Sequence, residues 1–152
     1  MAGYFFDSSA FAKAYRQEAG TAKVAAILAQ AADQFFISSL TVVEFQSVFA
    51  QKVRAGLLTP AEFQLVRRKF GGDVRARRVL VKGMLRRHQR SAEKLIATHG
   101  PLRRLRTLDA LQLAVAADLW ANGTVTHFVV ADQHLAEVAR LEGISVTNPE
   151  IP

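Results

Sequence analysis

Three times in this chain a short, unbroken apolar run stops abruptly at residues that start helices. Tyr4-Phe5-Phe6 runs into Asp7-Ser8-Ser9, Phe35-Phe36-Ile37 into Ser38-Ser39, and His127-Phe128-Val129-Val130 reaches Asp132 after one alanine. An apolar run too short for a helix reads as a strand buried on both faces, and a Ser or Asp at its end can accept the first unpaired N–H groups of a helix. Strands that pass straight into helices are joined by crossovers and lie parallel, so the pattern predicts an α/β fold: a parallel β-sheet with helices on both faces. Val79-Leu80-Val81 is a weaker strand candidate, and Ile144-Ser145-Val146 a short last one.

The intervening segments carry helical periodicity. Val24, Ile27, Leu28 and Ala31 share one face, as do Val42, Phe45, Val48 and Phe49, and Leu108, Leu111, Val115 and Leu119. Thr59-Pro60-Ala61-Glu62 combines an N-cap, a first-turn proline and a capping-box glutamate. Gly71-Gly72 is expected to end that helix, and Asn122-Gly123-Thr124 reads as another helix-ending turn. At 152 residues and 50% hydrophobic content the chain suits a single domain over 1–152 with one core. Without cysteine it has no disulfide scaffold, zinc ribbon, Fe–S cluster or thiolate nucleophile. Neither a secretory leader nor an apolar stretch of membrane-spanning length is read, so a cytoplasmic protein with no membrane association is expected.

Charge is distributed unevenly. Of twenty Lys and Arg, fourteen lie between Arg67 and Arg106, where Asp73 and Glu93 are the only acids; that stretch carries +12, and the remainder −5, within a net +7. Such an excess of one sign favours a polyanionic partner, nucleic acid above all. Arg86, Arg87, Arg90 and Lys94 form a basic helical face, and Arg103, Arg104 and Arg106 lead from it towards Asp109. These arginines are the candidate RNA-binding residues.

In a parallel sheet, ligands bind beyond the carboxyl ends of the strands. Asp7 and Asp132 fall at that edge, Glu44 lies in the first or second turn of the helix after the second strand, and Asp109 sits just inside the helix begun by Thr107 with Leu108 and Leu111 turned to the core. Each acid has a purely structural alternative. Asp7 and Asp132 suit N-caps, Thr41-Val42-Val43-Glu44 spells a capping box, and a helix dipole favours Asp109. Together, four converging carboxylates repel one another unless a cation lies among them, and hard oxygen donors select Mg²⁺ or Mn²⁺. The four histidines, His88, His99, His127 and His134, have no metal-ligand spacing; His134, two residues after Asp132, could touch a phosphate but is expected to be a surface residue without a specific role, and Gln112, one turn beyond Asp109, could reach the scissile region but is expected to face solvent.

Four blocks resemble the successive motifs of PIN-domain ribonucleases: Tyr4-Phe5-Phe6-Asp7-Ser8-Ser9-Ala10, the segment from Ile37 to Glu44, the segment from Leu105 to Ala114, and Phe128-Val129-Val130-Ala131-Asp132. Within that family the chain is most similar to VapC-type toxins of toxin–antitoxin pairs. The core Asp109-Ala110-Leu111 and the terminal stretch Glu142 to Pro149 are the more specific pieces. The resemblance implies that Asp7, Glu44, Asp109 and Asp132 are the catalytic, metal-binding carboxylates and that Ser8 or Ser9 supports the first. It also implies an Mg²⁺- or Mn²⁺-dependent endoribonuclease acting on tRNA or ribosomal RNA, a VapB-like antitoxin and a homodimer. Where many members carry Thr-x-Asp, this chain has Val130-Ala131-Asp132, without a hydroxyl beside the fourth acid. An RNA-processing nuclease without an antitoxin and a non-catalytic RNA-binding module are the alternatives.

Overall fold

The computed structural model describes residues 1–151. Five strands, β1 (Gly3–Phe6), β2 (Gln34–Ser38), β3 (Leu80–Lys82), β4 (His127–Val129) and β5 (Val146–Thr147), form one sheet in the order β3-β2-β1-β4-β5. Every pairing is parallel, with Phe5 beside Phe36 on one side and Phe128 on the other. Seven helices connect the strands: α1 (Ser8–Ala12), α2 (Thr21–Leu28), α3 (Ser39–Arg54), α4 (Pro60–Arg75), α5 (Arg86–His99), α6 (Thr107–Ala121) and α7 (Gln133–Leu141). Among the described residues no helix is long and apolar enough to cross a membrane.

The unbroken apolar character of the strands follows from two cores, one on each face. Phe5, Phe36 and Phe128 pack with α5, α6 and α7, whereas their neighbours Phe6, Phe35, Ile37 and Val129 pack with α1 to α4. Successive strand residues point to opposite faces, so both alternating sets must be apolar. Each fully buried phenylalanine contributes about 1.5–3 kcal/mol through its removal from water. Gly3 allows the tight start of β1: a Cβ there would lie 2.1 Å from the Thr124 carbonyl oxygen. The turn at Asn122-Gly123 forms as expected, with Gly123 at φ +76.

Several local expectations are corrected. The third strand is shifted by one residue, and the last shrinks to Val146–Thr147 while Ile144 goes into the core. Ala31 lies beyond α2 and is exposed. Gly71 and Gly72 do not end α4, which continues through them to Arg75. Phe70 is buried on one side of the pair, and on the other Asp73 accepts from the Tyr15 hydroxyl and from Arg78. These contacts outweigh a helix penalty of about 1 kcal/mol per glycine. The helix α3 is capped by Ser38, whose hydroxyl accepts from Thr41 N, so Thr41 to Glu44 is not its capping box. Leu108 is 47% exposed rather than turned to the core, because the buried face of α6 is formed by Ala110, Leu113 and their neighbours.

Candidate active site

Asp7 follows β1 directly and remains in its ladder: its N–H donates to Val129 O at 3.0 Å, and its Oδ1 accepts Ala10 N at 2.8 Å to cap α1. The carboxyl is buried, and its Oδ2 has no hydrogen-bond partner among the described residues. Burial raises its pKa to about 7; the Ala10 N–H opposes the rise, and the charges of Asp109, Glu44 and Asp132 add to it. The topology therefore brings the four acids within range of mutual repulsion at the carboxyl edge of the sheet.

Asp132 caps α7 through Oδ1, which accepts Leu135 N at 2.9 Å. Its Oδ2 faces Arg106 Nη2 at 3.4 Å, and Arg106 Nε donates to Asp109 Oδ2 at 3.2 Å. Asp109 is half-buried in the first turn of α6; burial raises its pKa while Arg106, and Arg104 more weakly, oppose the rise. At this end of the site Asn148 is buried and donates to the Ala131 carbonyl oxygen at 3.3 Å.

Glu44 lies in the second turn of α3 and is held by a buried polar network. Ser8 Oγ donates to Glu44 Oε1 at 3.1 Å, and Gln112 Nε2 donates to the same oxygen at 2.7 Å. Ser8 thus supports Glu44 rather than Asp7, and Ser9 is exposed. Gln112 does not face solvent: it is 2% exposed and also bonds Ser38, Thr41 and Ser8. Its signal in the sequence is a single amide within the apolar run Ala110 to Ala117. A polar side chain placed there is buried, and a buried amide needs partners.

The basic residues divide into paired and free. Arg87 is tied to Asp118, Arg103 to Glu137, and Arg106 to Asp109 and Asp132, whereas Arg86, Arg90, Lys94 and Arg104 are exposed and make no ion pair among the described residues. His88 is structural: its Nδ1 accepts Leu85 N, which leaves Nε2 to donate to Asp118 at 2.9 Å. His99 likewise meets Glu142 at 2.6 Å, while His134 is exposed.

The four acids suit a hard divalent cation in donor type, in the partnerless Oδ2 of Asp7 and in the repulsion that a cation would relieve. Among the described residues, however, no three His, Cys, Asp or Glu side chains are gathered tightly enough to form a ready coordination sphere.

Comparison with known proteins identifies the fold and the family. No curated protein matches the sequence. Among solved structures, VapC20 of Mycobacterium tuberculosis, a toxin that cleaves the sarcin–ricin loop, superposes with a TM-score of 0.65 at 15% identity, over 88% of this chain and 93% of its own. FitAcB from Neisseria gonorrhoeae has the same TM-score and identity over 96% of this chain and 97% of its own. VapBC2 from Rickettsia felis, solved with a DNA fragment from its promoter, again gives 0.65 and 15%, over 96% and 98%. At such identity these neighbours establish the fold. The PIN-domain profile matches residues 4–141, nearly the whole length over which the sheet, its helices and the four acids are built, and the chain therefore belongs to the PIN-domain family.

Proposed function

We propose that this chain is a metal-dependent endoribonuclease that hydrolyses phosphodiester bonds in structured RNA, tRNA or ribosomal RNA, as the toxin of a VapBC-type pair. The observation that carries this reading is the placing of Asp7, Glu44, Asp109 and Asp132 at the carboxyl edge of one parallel sheet, where the buried Asp7 lies within range of the charges of the other three. Such a gathering of carboxylates favours a positive charge among them, a proton or a cation. Asp7, Glu44, Asp109 and Asp132 would hold Mg²⁺ or Mn²⁺. The bound ion would supply Lewis-acid activation at the phosphate under attack. Around it the chain's own residues divide the work: Ser8 and Gln112 orient Glu44, Arg106 neutralises Asp109 and Asp132, and Arg104 with the free cations of α5 attracts the RNA backbone.

A VapB-like antitoxin is proposed as the protein partner. Support comes from the likeness to VapBC2.

Incubation of the purified chain with structured RNA tests the activity. Cleavage is expected with Mg²⁺ or Mn²⁺ and not with a chelator, and Asp109→Asn should slow it by roughly 100-fold or more while circular dichroism shows an intact fold. Undiminished cleavage by Asp109→Asn would place the chemistry elsewhere. RNA binding without cleavage under any divalent ion would make the protein a binding module, and cleavage that no co-expressed small partner inhibits would favour RNA processing.

A further inference from the structure

We propose that Gln112 is a positioning residue for the Glu44 carboxylate, fixing one oxygen so that the other is presented to a bound divalent cation; this rests on the reading of the four acids as a cation site. The amide of Gln112 stands where α1, α3, α6 and the end of β2 meet. Its orientation is dictated by chemistry, because a carboxylate only accepts: Nε2 must face Glu44 Oε1 at 2.7 Å, which leaves Oε1 of Gln112 to accept the Ser38 hydroxyl at 2.6 Å. The remaining N–H of Nε2 lies between Ser8 Oγ at 2.9 Å and Thr41 Oγ1 at 3.0 Å. Ser8 Oγ in turn reaches Glu44 Oε1 at 3.1 Å.

One carboxylate oxygen is therefore held by two donors, while Glu44 Oε2 has no partner among the described residues. The arrangement removes the rotational freedom of a long acidic side chain. Gln112 lies one turn beyond Asp109 on the same helix. Hydrogen-bond partners of this kind set the direction and basicity of a ligating carboxylate, and their loss typically lowers metal affinity by 10–100-fold.

Calorimetric titration of Mn²⁺ into the wild-type chain, Gln112→Met, Glu44→Gln and the double variant tests the assignment. Gln112→Met should weaken Mn²⁺ binding by roughly ten-fold. In the Glu44→Gln background the same change should have no further effect, since its influence runs through the Glu44 carboxylate. Unchanged affinity in Gln112→Met, or an equally large loss in the Glu44→Gln background, would overturn the proposal and reduce the amide to a packing element. Gln112→His keeps an N–H donor at comparable reach and carries the test if the methionine variant does not fold. It should bind Mn²⁺ within about three-fold of wild type, and a folded histidine variant binding as weakly as Glu44→Gln would also overturn the assignment. A wild-type chain that takes up no Mn²⁺ would remove the cation reading itself, and this inference with it.

Discussion

The two carboxyl oxygens of Asp7 stand in different surroundings: Oδ1 caps α1, and Oδ2 has no hydrogen-bond partner among the described residues. With its pKa raised from 3.8 to about 7, this side chain binds a proton more tightly in the folded state than in the unfolded one. Its contribution to stability is therefore fully present below about pH 4 and is lost as pH rises to about 7. Asp7→Asn keeps the capping oxygen and removes the charge. Without added metal the variant should melt close to wild type at pH 4 and clearly above it at pH 8, by on the order of 2–4 kcal/mol. Addition of Mn²⁺ should narrow the gap, because only the wild-type site gains a strong ligand. Scanning calorimetry at the two pH values checks this; an Asn variant no more stable than wild type at pH 8 would show that burial of the charge is not costly. Asp7 could be read from the residues, because a strand end followed by Ser-Ser is a local signal. For Gln112 the lone amide in an apolar run is a local signal of burial, but its partners are not legible, because they come from three distant elements and nothing within its own helix places Glu44 or Ser38 beside it.

Among the elements, α4 separates local from tertiary control most clearly. Its start forms where the sequence places it, with the Thr59 hydroxyl accepting Glu62 N and Glu62 accepting Thr59 N, because a capping box is closed within four residues. Its end does not fall at Gly71-Gly72, because Phe70 and Asp73 are anchored by groups elsewhere in the chain. The helix closes later at Arg77, which adopts φ +57 without being glycine. Gly72 has open space where a Cβ would sit. Gly72→Ala should therefore stabilise the protein by about 0.5–1 kcal/mol through the lower entropy of the unfolded chain, measurable as a higher denaturant midpoint with an unchanged slope. A loss of stability would mean that the helix needs the second glycine's freedom.

At the scale of the whole molecule, folding redistributes the charge imbalance. Acids outside the basic stretch reach into it: Asp118 holds Arg87, Glu137 holds Arg103, and Asp109 and Asp132 share Arg106. Arg86, Arg90 and Lys94 remain on α5 without such partners among the described residues. Replacing these three by glutamine should reduce the slope of log affinity for single-stranded RNA against log salt by about 2 units, at roughly 0.7 per phosphate released. Arg87→Gln should change that slope less and lower stability, because its charge already serves Asp118. Filter binding over a salt series checks both expectations; an unchanged slope for the triple variant would assign this face to solubility or to a protein partner.

By itself the sequence determined the parallel α/β architecture, since apolar runs too short for helices, each ending in a helix-starting side chain, leave few other ways to bury both faces of a strand. It also determined that Asp7 and Asp132 lie at the carboxyl edge, because each follows its strand within two residues. Only the tertiary structure decided that Glu44 is gripped by Ser8 and Gln112, that Leu108 is exposed while Gln112 is buried, and which arginines are ion-paired among the described residues. The physical reason is range. Caps, turns and strand ends are set by atoms a few residues apart, whereas the partner of a buried amide, a guanidinium or a carboxylate is chosen by the packing of elements that are remote in sequence and meet only in the fold.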